Sequence, residues 1–217
     1  MARSGGVGGG AVGGGTLGRL TGTRQTERSA TTRGKLVDAA RALFAERPYA
    51  SVGTEEIVRR AQVTRGALYH HFTDKRDLFR AVHEQMEGEL IEQIGAQLAS
   101  VGVTDPEEAL RVGLRSYLDA CADPSFARIT LVDAPAVLGW EEWRRIDEEY
   151  ALKLIELALA GGMEAGVLRK APVRPIAQLM LGAMGEAGLR EANSSDPART
   201  RREVEAPLLA WLDGLKA

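Results

Sequence analysis

The sequence predicts an all-α protein in which a small three-helix unit precedes a larger helical bundle. Three observations carry this. From residue 32 onward apolar residues recur at helical spacing, and no segment alternates like a strand. Asp-Pro pairs, a Gly pair and Pro172 divide the chain into helix-sized pieces. Charge also divides it. Residues 1–80 hold 14 Lys/Arg and 7 Asp/Glu, a net of +7, whereas residues 81–217 hold 14 and 23, a net of −9. A basic first part on an acidic body suits contact with a polyanion.

Taken in order, residues 1–22 hold ten glycines and almost no large apolar side chain. Such a segment buries too little surface to offset its ordering entropy. Residues 1–31 are therefore expected to be a flexible tail, with Arg3, Arg19, Arg24 and Arg28 set against Glu27. We read it as an inert extension rather than a phosphate-binding arm. Leu36, Val37, Ala40, Leu43 and Phe44 share one face of a first helix over 32–46, which Pro48 ends. A second helix over 54–61 turns Ile57, Val58 and Ala61 inward, with Gly53 or Thr54 as its cap. A third spans 65–72, capped by Thr64. Asp74 opens a fourth over 74–100, with Asp77 near its positive end. Further helices are expected over 105–122, 125–138, 140–165, 173–192 and 198–216. The division is a tail over 1–31, a three-helix unit over 32–76 and a helical body over 77–217.

At 44% hydrophobic and 27% charged, the composition is that of a soluble globular protein. No apolar run approaches the roughly 20 residues that span a bilayer, and no secretory signal is visible. The single Cys121 excludes an internal disulfide framework and suits the reducing cytoplasm. It reads as a small core residue rather than a nucleophile.

The stretch "VTRGALYHHFTDK" over 63–75 carries two of the three histidines. At 100° per residue, Leu68 and Phe72 form the buried face of the third helix and His70 points the opposite way. Gly66 and Ala67 flank His70 and permit close approach. Thr64 and Arg65 stand at one end and Lys75 just past the other. Hydrogen-bonding groups in the middle and phosphate-binding groups at the ends suit a helix laid in the DNA major groove. With Ala61-Gln62-Val63-Thr64 as the turn, residues 54–72 form a helix-turn-helix. Adjacent histidines project too far apart to chelate one ion, and His83 lies on another helix, so no metal site is expected. No nucleophile and base share a recognisable spacing, so catalysis is not expected either.

Residues 32–78, carried by "GKLVDAARALFAERPYASVGTEEIVRRAQVTRGALYHHFTDKRDLF", resemble the DNA-binding domain of the TetR family of transcriptional regulators. The close resemblance covers about a fifth of the chain. The stretch "LVDAPAVLGWEEWRRIDEEY" looks like the second half of such regulators from high-GC bacteria. The resemblance implies a homodimer, double-stranded operator DNA as partner, and a regulatory domain that holds a small-molecule effector. No cofactor is implied. By motif position it implies DNA contacts at Arg33, Thr54, Thr64, Arg65, Gly66, Ala67, Tyr69, His70 and Lys75. Tyr69 and Lys75 would meet phosphates, and Arg65 and Ala67 would read bases. Where the family's turn usually has glycine, this chain has Gln62, which would be strained at positive φ.

In the body, Trp140, Trp143, Asp147 and Tyr150 share a helix face that continues to Leu154 and Leu157. Such a face could line an effector pocket, with Tyr117, Cys121, Phe126, Asp133, Met180 and Met184 as further wall residues. Gly182, Ala183 and Gly185 permit close approach of another helix. With Leu208, Trp211, Leu212 and Leu215 they form the expected dimer face, a four-helix bundle across a two-fold axis. The reading is a ligand-responsive DNA-binding repressor. The alternatives are a chromosome-organising protein without sequence preference and, from another class, an all-α enzyme.

Overall fold

The computed structural model describes residues 17–217, with side chains from residue 29. Helix α1, Leu17–Glu46, starts well before residue 32, so the expected tail is helical in its second half. Eight of the ten glycines precede Thr16, and a helix already nucleated by packed residues extends backward at little cost. The expectation for residues 1–16 falls outside the described residues.

Leu36, Leu43 and Phe44 of α1 are buried, as are Ile57 of α2 (Thr54–Ala61), Leu68 of α3 (Arg65–His71) and Phe79 of α4 (Lys75–Ser100). At the centre the Phe79 ring meets Phe44 and Tyr49 edge-on, at centroid distances of 5.1 Å each. Tyr49 belongs to a short 3-10 turn, Tyr49–Ser51, that carries the chain from α1 to α2.

Between α2 and α3 the chain turns at Gln62, with φ 55° and ψ 43°. It is the only non-glycine at positive φ among the described residues. The left-handed conformation lets its amide reach the Val58 and Arg59 carbonyls at the end of α2.

Helix α4 begins where Asp74 accepts the Asp77 amide at 2.8 Å and ends deep in the body. The body follows with α5 (Pro106–Cys121), α6 over 124–138, α7 over 140–164, α8 (Val173–Ala192) and α9 (Pro197–Asp213). Asp105, Asp123 and Asp196 cap α5, α6 and α9, each followed by Pro at the first helical position. Gly139, at φ 77°, separates α6 from α7.

Two of these helices change their winding. Residues Ala127–Asp133 in α6 and Glu148–Leu152 in α7 are π-helical. A π stretch rotates everything after it relative to what came before. The expected stripe on α7 is interrupted by its π stretch, and beyond it Leu154 lines a cavity while Leu157 is 71% exposed. Gly161 and Gly162 do not end α7. A Cβ on Gly162 would lie 2.6 Å from Leu168 Cδ1. Gly188 likewise lets α8 close on α5, because a Cβ there would lie 2.5 Å from Cys121 Sγ.

Candidate nucleic-acid interface and ligand cavity

Helix α3 stands with Leu68 and Phe72 inside and Thr64, Arg65, Gly66, Tyr69 and His70 exposed. Ala67 is half-buried on the same outward side. Thr64 caps the helix by accepting the Ala67 amide at 3.1 Å. Arg65 reaches Glu55 on α2 at 3.0 Å and lies over the Tyr69 ring at 5.6 Å. Both partners of that ion pair are largely exposed, so the pair holds Arg65 only loosely. Arg33 is exposed and its guanidinium lies 5.3 Å from the Phe72 ring centroid, beside the C-terminus of α3. Thr54 is half-buried at the start of α2. The histidine rings touch edge-on at 5.0 Å. Burial, with the His70 and Arg33 charges added, lowers the His71 pKa and favours its neutral form.

Lys75 departs from a free surface cation. Its Nζ donates to the Tyr49 and Val52 carbonyls at 3.0 and 2.9 Å and lies 3.9 Å from the Tyr49 ring centroid. Partial burial lowers its pKa. The side chain locks the 3-10 turn to the start of α4.

Further bonds fasten this unit to the body. Arg76 donates to the Val137 and Leu138 carbonyls at 3.1 and 2.7 Å and to Glu142 at 2.6 Å. Arg128 donates to the Ala45 carbonyl at 2.7 Å. Asp133 accepts the Tyr49 amide at 3.0 Å. Asp133 is thus a link between the two parts and not a pocket wall.

The body holds two adjoining cavities. One, of about 50 Å³, is apolar; Leu90, Ile94, Leu114, Leu154, Met180 and Met184 are among its walls. The other, of about 220 Å³, is lined by Glu87, Thr130, Trp143, Arg144, Asp147 and Leu181, among others. Tyr117 and Ala151 border both. In the larger cavity the Thr130 hydroxyl and the Trp143 indole N–H are buried without a partner, as are both ring nitrogens of nearby His83. Buried polar atoms are almost always paired, so an unpaired group beside a cavity marks a place for a ligand.

His83, Glu87 and Asp147 meet next to this cavity, one donor atom of each within 4.8 Å of those of the other two. His83 and Glu87 are one turn apart on α4, and Asp147 reaches them from α7. Burial and the Asp147 charge push the Glu87 pKa up to about 8. Burial pushes Asp147 up to about 7, against the pull of Arg144. Burial brings His83 down to about 4. His83 and Glu87, 3.9 Å apart, are therefore a neutral imidazole beside a neutral acid rather than an ion pair. Sequence reading set His83 aside and did not weigh Glu87. Their i, i+4 spacing is visible in the sequence; the approach of Asp147 from a distant helix is not.

Of the expected pocket residues, Tyr117, Trp140, Trp143, Asp147, Met180 and Met184 line one cavity or the other. Trp140 is only an outer edge, 66% exposed and stacked on Trp143 at 5.2 Å. Cys121 and Phe126 are core residues, as is Asp133's neighbour Ala134. Burial raises the Cys121 pKa to about 12 and keeps it a thiol. Tyr150 lies outside both cavities, its ring against Gly88 of α4.

The expected dimer face also divides. Leu208 and Leu212 point into their own subunit, at 8% and 1% exposure. Gly182 is exposed, Ala183, Gly185, Trp211 and Leu215 are half-buried, and Leu179 beside them is 65% exposed. An open groove between α8 and α9 includes Ala183, Ala187, Pro207 and Trp211.

The fold is met in known proteins. The family described as "Bacterial regulatory proteins, tetR family" matches residues 36–82, and "Tetracyclin repressor-like, C-terminal domain" matches residues 107–215. This chain belongs to the TetR family of transcriptional regulators. A TetR-family regulator from Pectobacterium atrosepticum shares 32% identity, with 88% of this chain and 97% of that one covered and a TM-score of 0.75. The Transposon Tn10 TetC protein of Escherichia coli is 35% identical over 58% of this chain and 62% of its own length. The HTH-type transcriptional activator FasR of Mycolicibacterium smegmatis is 34% identical over 40% of this chain and 39% of its own. The match thus spans less than two thirds of these two relatives. As a member of the TetR family the chain is a DNA-binding transcriptional regulator and not an enzyme. Among the described residues, no helix is long and apolar enough to cross a membrane.

Proposed function

We propose that this TetR-family protein is a repressor that acts in the cytoplasm, binds operator DNA as a homodimer and lets go when a small molecule fills the larger cavity. One observation carries the reading. Helix α4 starts right after α3 and supplies Glu87 to the cavity wall, so one rigid element touches both sites. In this reading Arg65 and Ala67 read base edges. Thr54, Thr64, Tyr69 and Arg33 approach the backbone, Gly66 permits the close approach, and His70 faces the groove. Lys75 contributes chiefly by holding the turn that presents α3. A ligand that moves α4 against α7 would take two paired α3 helices out of the 34–36 Å spacing that successive major grooves require. It can do so only by its differential affinity for the two states.

The test is to select bound fragments from random DNA and then measure gel shifts against unrelated competitor. Retention of a palindromic site at competitor excess supports the reading. Equal affinity for every sequence points instead to a chromosome-organising protein. Because FasR is by name an activator, a reporter driven by the selected site fixes the sign: loss of the regulator raises a repressed promoter and lowers an activated one.

A further inference from the structure

We propose that His83, Glu87 and Asp147 form a binding site for one divalent transition-metal ion of the zinc class, with its open coordination positions facing the larger cavity. This deepens the regulatory reading and rests on it only where metal is tied to DNA release.

The geometry supplies the donors. His83 and Glu87 stand at i, i+4 on α4 and so present their tips on one face. Asp147 closes the third side, and one donor atom of each residue lies within 4.8 Å of those of the other two. Around an ion with metal–ligand distances of 2.0–2.2 Å, donors sit about 3.4 Å apart. Small rotations of the two flexible carboxylates supply that difference.

Burial makes an ion the natural partner. His83 is fully buried and neither ring nitrogen has a hydrogen bond. Glu87 and Asp147 are 2% and 8% exposed; Glu87 lies 3.9 Å from His83 and Asp147 lies 3.7 Å from Arg144. The groups around them include Tyr117, Thr130, Trp143 and Arg144, with Glu148 adding negative charge beside Asp147 and Glu186 on the wall of the same cavity. Two buried carboxyls and an orphaned imidazole are a costly set to keep empty. A divalent cation balances two carboxylates and gives the imidazole a bond. One imidazole with two carboxylates suits zinc-class ions rather than a soft thiolate-seeking ion or an all-oxygen calcium site. Three protein ligands leave at least one position for water or for an oxygen of an incoming molecule. Bound there, the ion would clamp the middle of α4 to α7, the helices that Arg76 and Glu142 already join near their starts.

The experiment uses the full chain, stripped with chelator and titrated with Zn²⁺ by calorimetry and with Co²⁺ by visible absorption. The expected result is one ion per subunit, with Co²⁺ ligand-field bands. His83→Gln and Asp147→Asn keep side-chain volume, and circular dichroism checks that they fold. Each is expected to weaken Zn²⁺ binding at least about tenfold and to abolish the Co²⁺ bands. A folded wild-type protein that binds neither ion, or two folded variants that bind as the wild type does, overturns the site. Operator binding of the metal-free protein is measured separately. Sequence-specific DNA binding without metal uptake rejects the metal site alone, whereas metal uptake without specific DNA binding keeps the site and rejects the regulatory role.

Discussion

Arg76 Nη2 lies 2.6 Å from Glu142 Oε2 and so joins the first turn of α4 to the first turn of α7. The same guanidinium holds the Val137 and Leu138 carbonyls, which end α6. One side chain therefore ties the helix that follows the recognition helix to the helix that forms the cavity. Arg76 and Glu142 are 47% and 26% exposed, which limits the value of the ion pair itself. Arg76→Ala is expected to cost about 1 kcal/mol, mostly through the two carbonyls left bare. Its sharper effect is local: amide exchange over residues 75–79 should quicken while residues 90–94 stay protected. Operator affinity should fall with the fraction of molecules holding α3 in place. Uniform exchange along α4 would show that the tie carries nothing.

Arg65 and Lys75 should part company when each is replaced. Arg65 is exposed and loosely paired, so Arg65→Ala should leave the melting temperature within a degree or two. It should weaken specific DNA binding by roughly 1–3 kcal/mol and relax preference at one base. Lys75→Ala removes two bonds to carbonyls. It should lower stability by about 1–2 kcal/mol and weaken binding to all sequences alike. Equal losses on specific and random DNA for both variants would rule out Arg65 as a base reader.

Gln62 adopts the left-handed conformation that its position in the motif requires. Relief of that strain, roughly 1–2 kcal/mol, is partly offset by the extra unfolded-state freedom of glycine, about 0.5–1 kcal/mol. Gln62→Gly should therefore stabilise the protein by about 0.5–1 kcal/mol, a rise of up to about 4 °C in melting temperature. A fall on calorimetry would mean that the Gln62 side chain makes a contribution larger than its backbone strain.

What could be read from the sequence was whatever one helix decides for itself. The inward positions of Leu36, Phe44, Leu68 and Phe72 follow from 3.6-residue spacing. The starts at Pro106, Pro124 and Pro197 follow from Asp-Pro caps. What stayed hidden depends on neighbours. Beyond the π stretch at Glu148–Leu152, Leu157 is exposed, although its spacing from Trp143 and Tyr150 looked continuous. Asp133 looked like a pocket acid because nothing in its own segment reveals that Tyr49 waits across the domain boundary. Leu208 and Leu212 had the spacing of an interface, but packing against their own subunit claims them. The early start of α1 was masked by glycines that lie almost entirely before it.

Gly188 is a case where packing leaves no room for even one methyl group. A Cβ there would meet Cys121 Sγ at 2.5 Å and Leu131 Cδ1 at 3.3 Å. Cys121 is fully buried and cannot swing out. Gly188→Ala should destabilise by about 1–3 kcal/mol through overpacking. Adding Cys121→Ala should return part of that loss, and a double-mutant cycle in urea measures the coupling. Strict additivity would mean that α8 simply shifts away from α5.

Dimerisation depends on which apolar residues of α8 and α9 face outward. Leu179 is 65% exposed and Gly182 is exposed next to it, with open space where a Cβ would be. An apolar face of this kind is where a second subunit would pack in an isologous contact, each residue meeting its own counterpart region. Leu179→Arg should therefore leave the subunit folded while placing two like charges across the two-fold axis. We expect sedimentation to show a monomer at micromolar concentration, with circular dichroism unchanged. Operator affinity should collapse, because a single α3 helix cannot span two half-sites 34–36 Å apart. Leu212→Ala is the control. Leu212 is 1% exposed inside its own subunit, so the variant should lose about 2–5 kcal/mol of stability and still sediment as a dimer where it remains folded. If Leu179→Arg stayed dimeric and bound operator normally, the two-fold contact would have to lie on another face of the body.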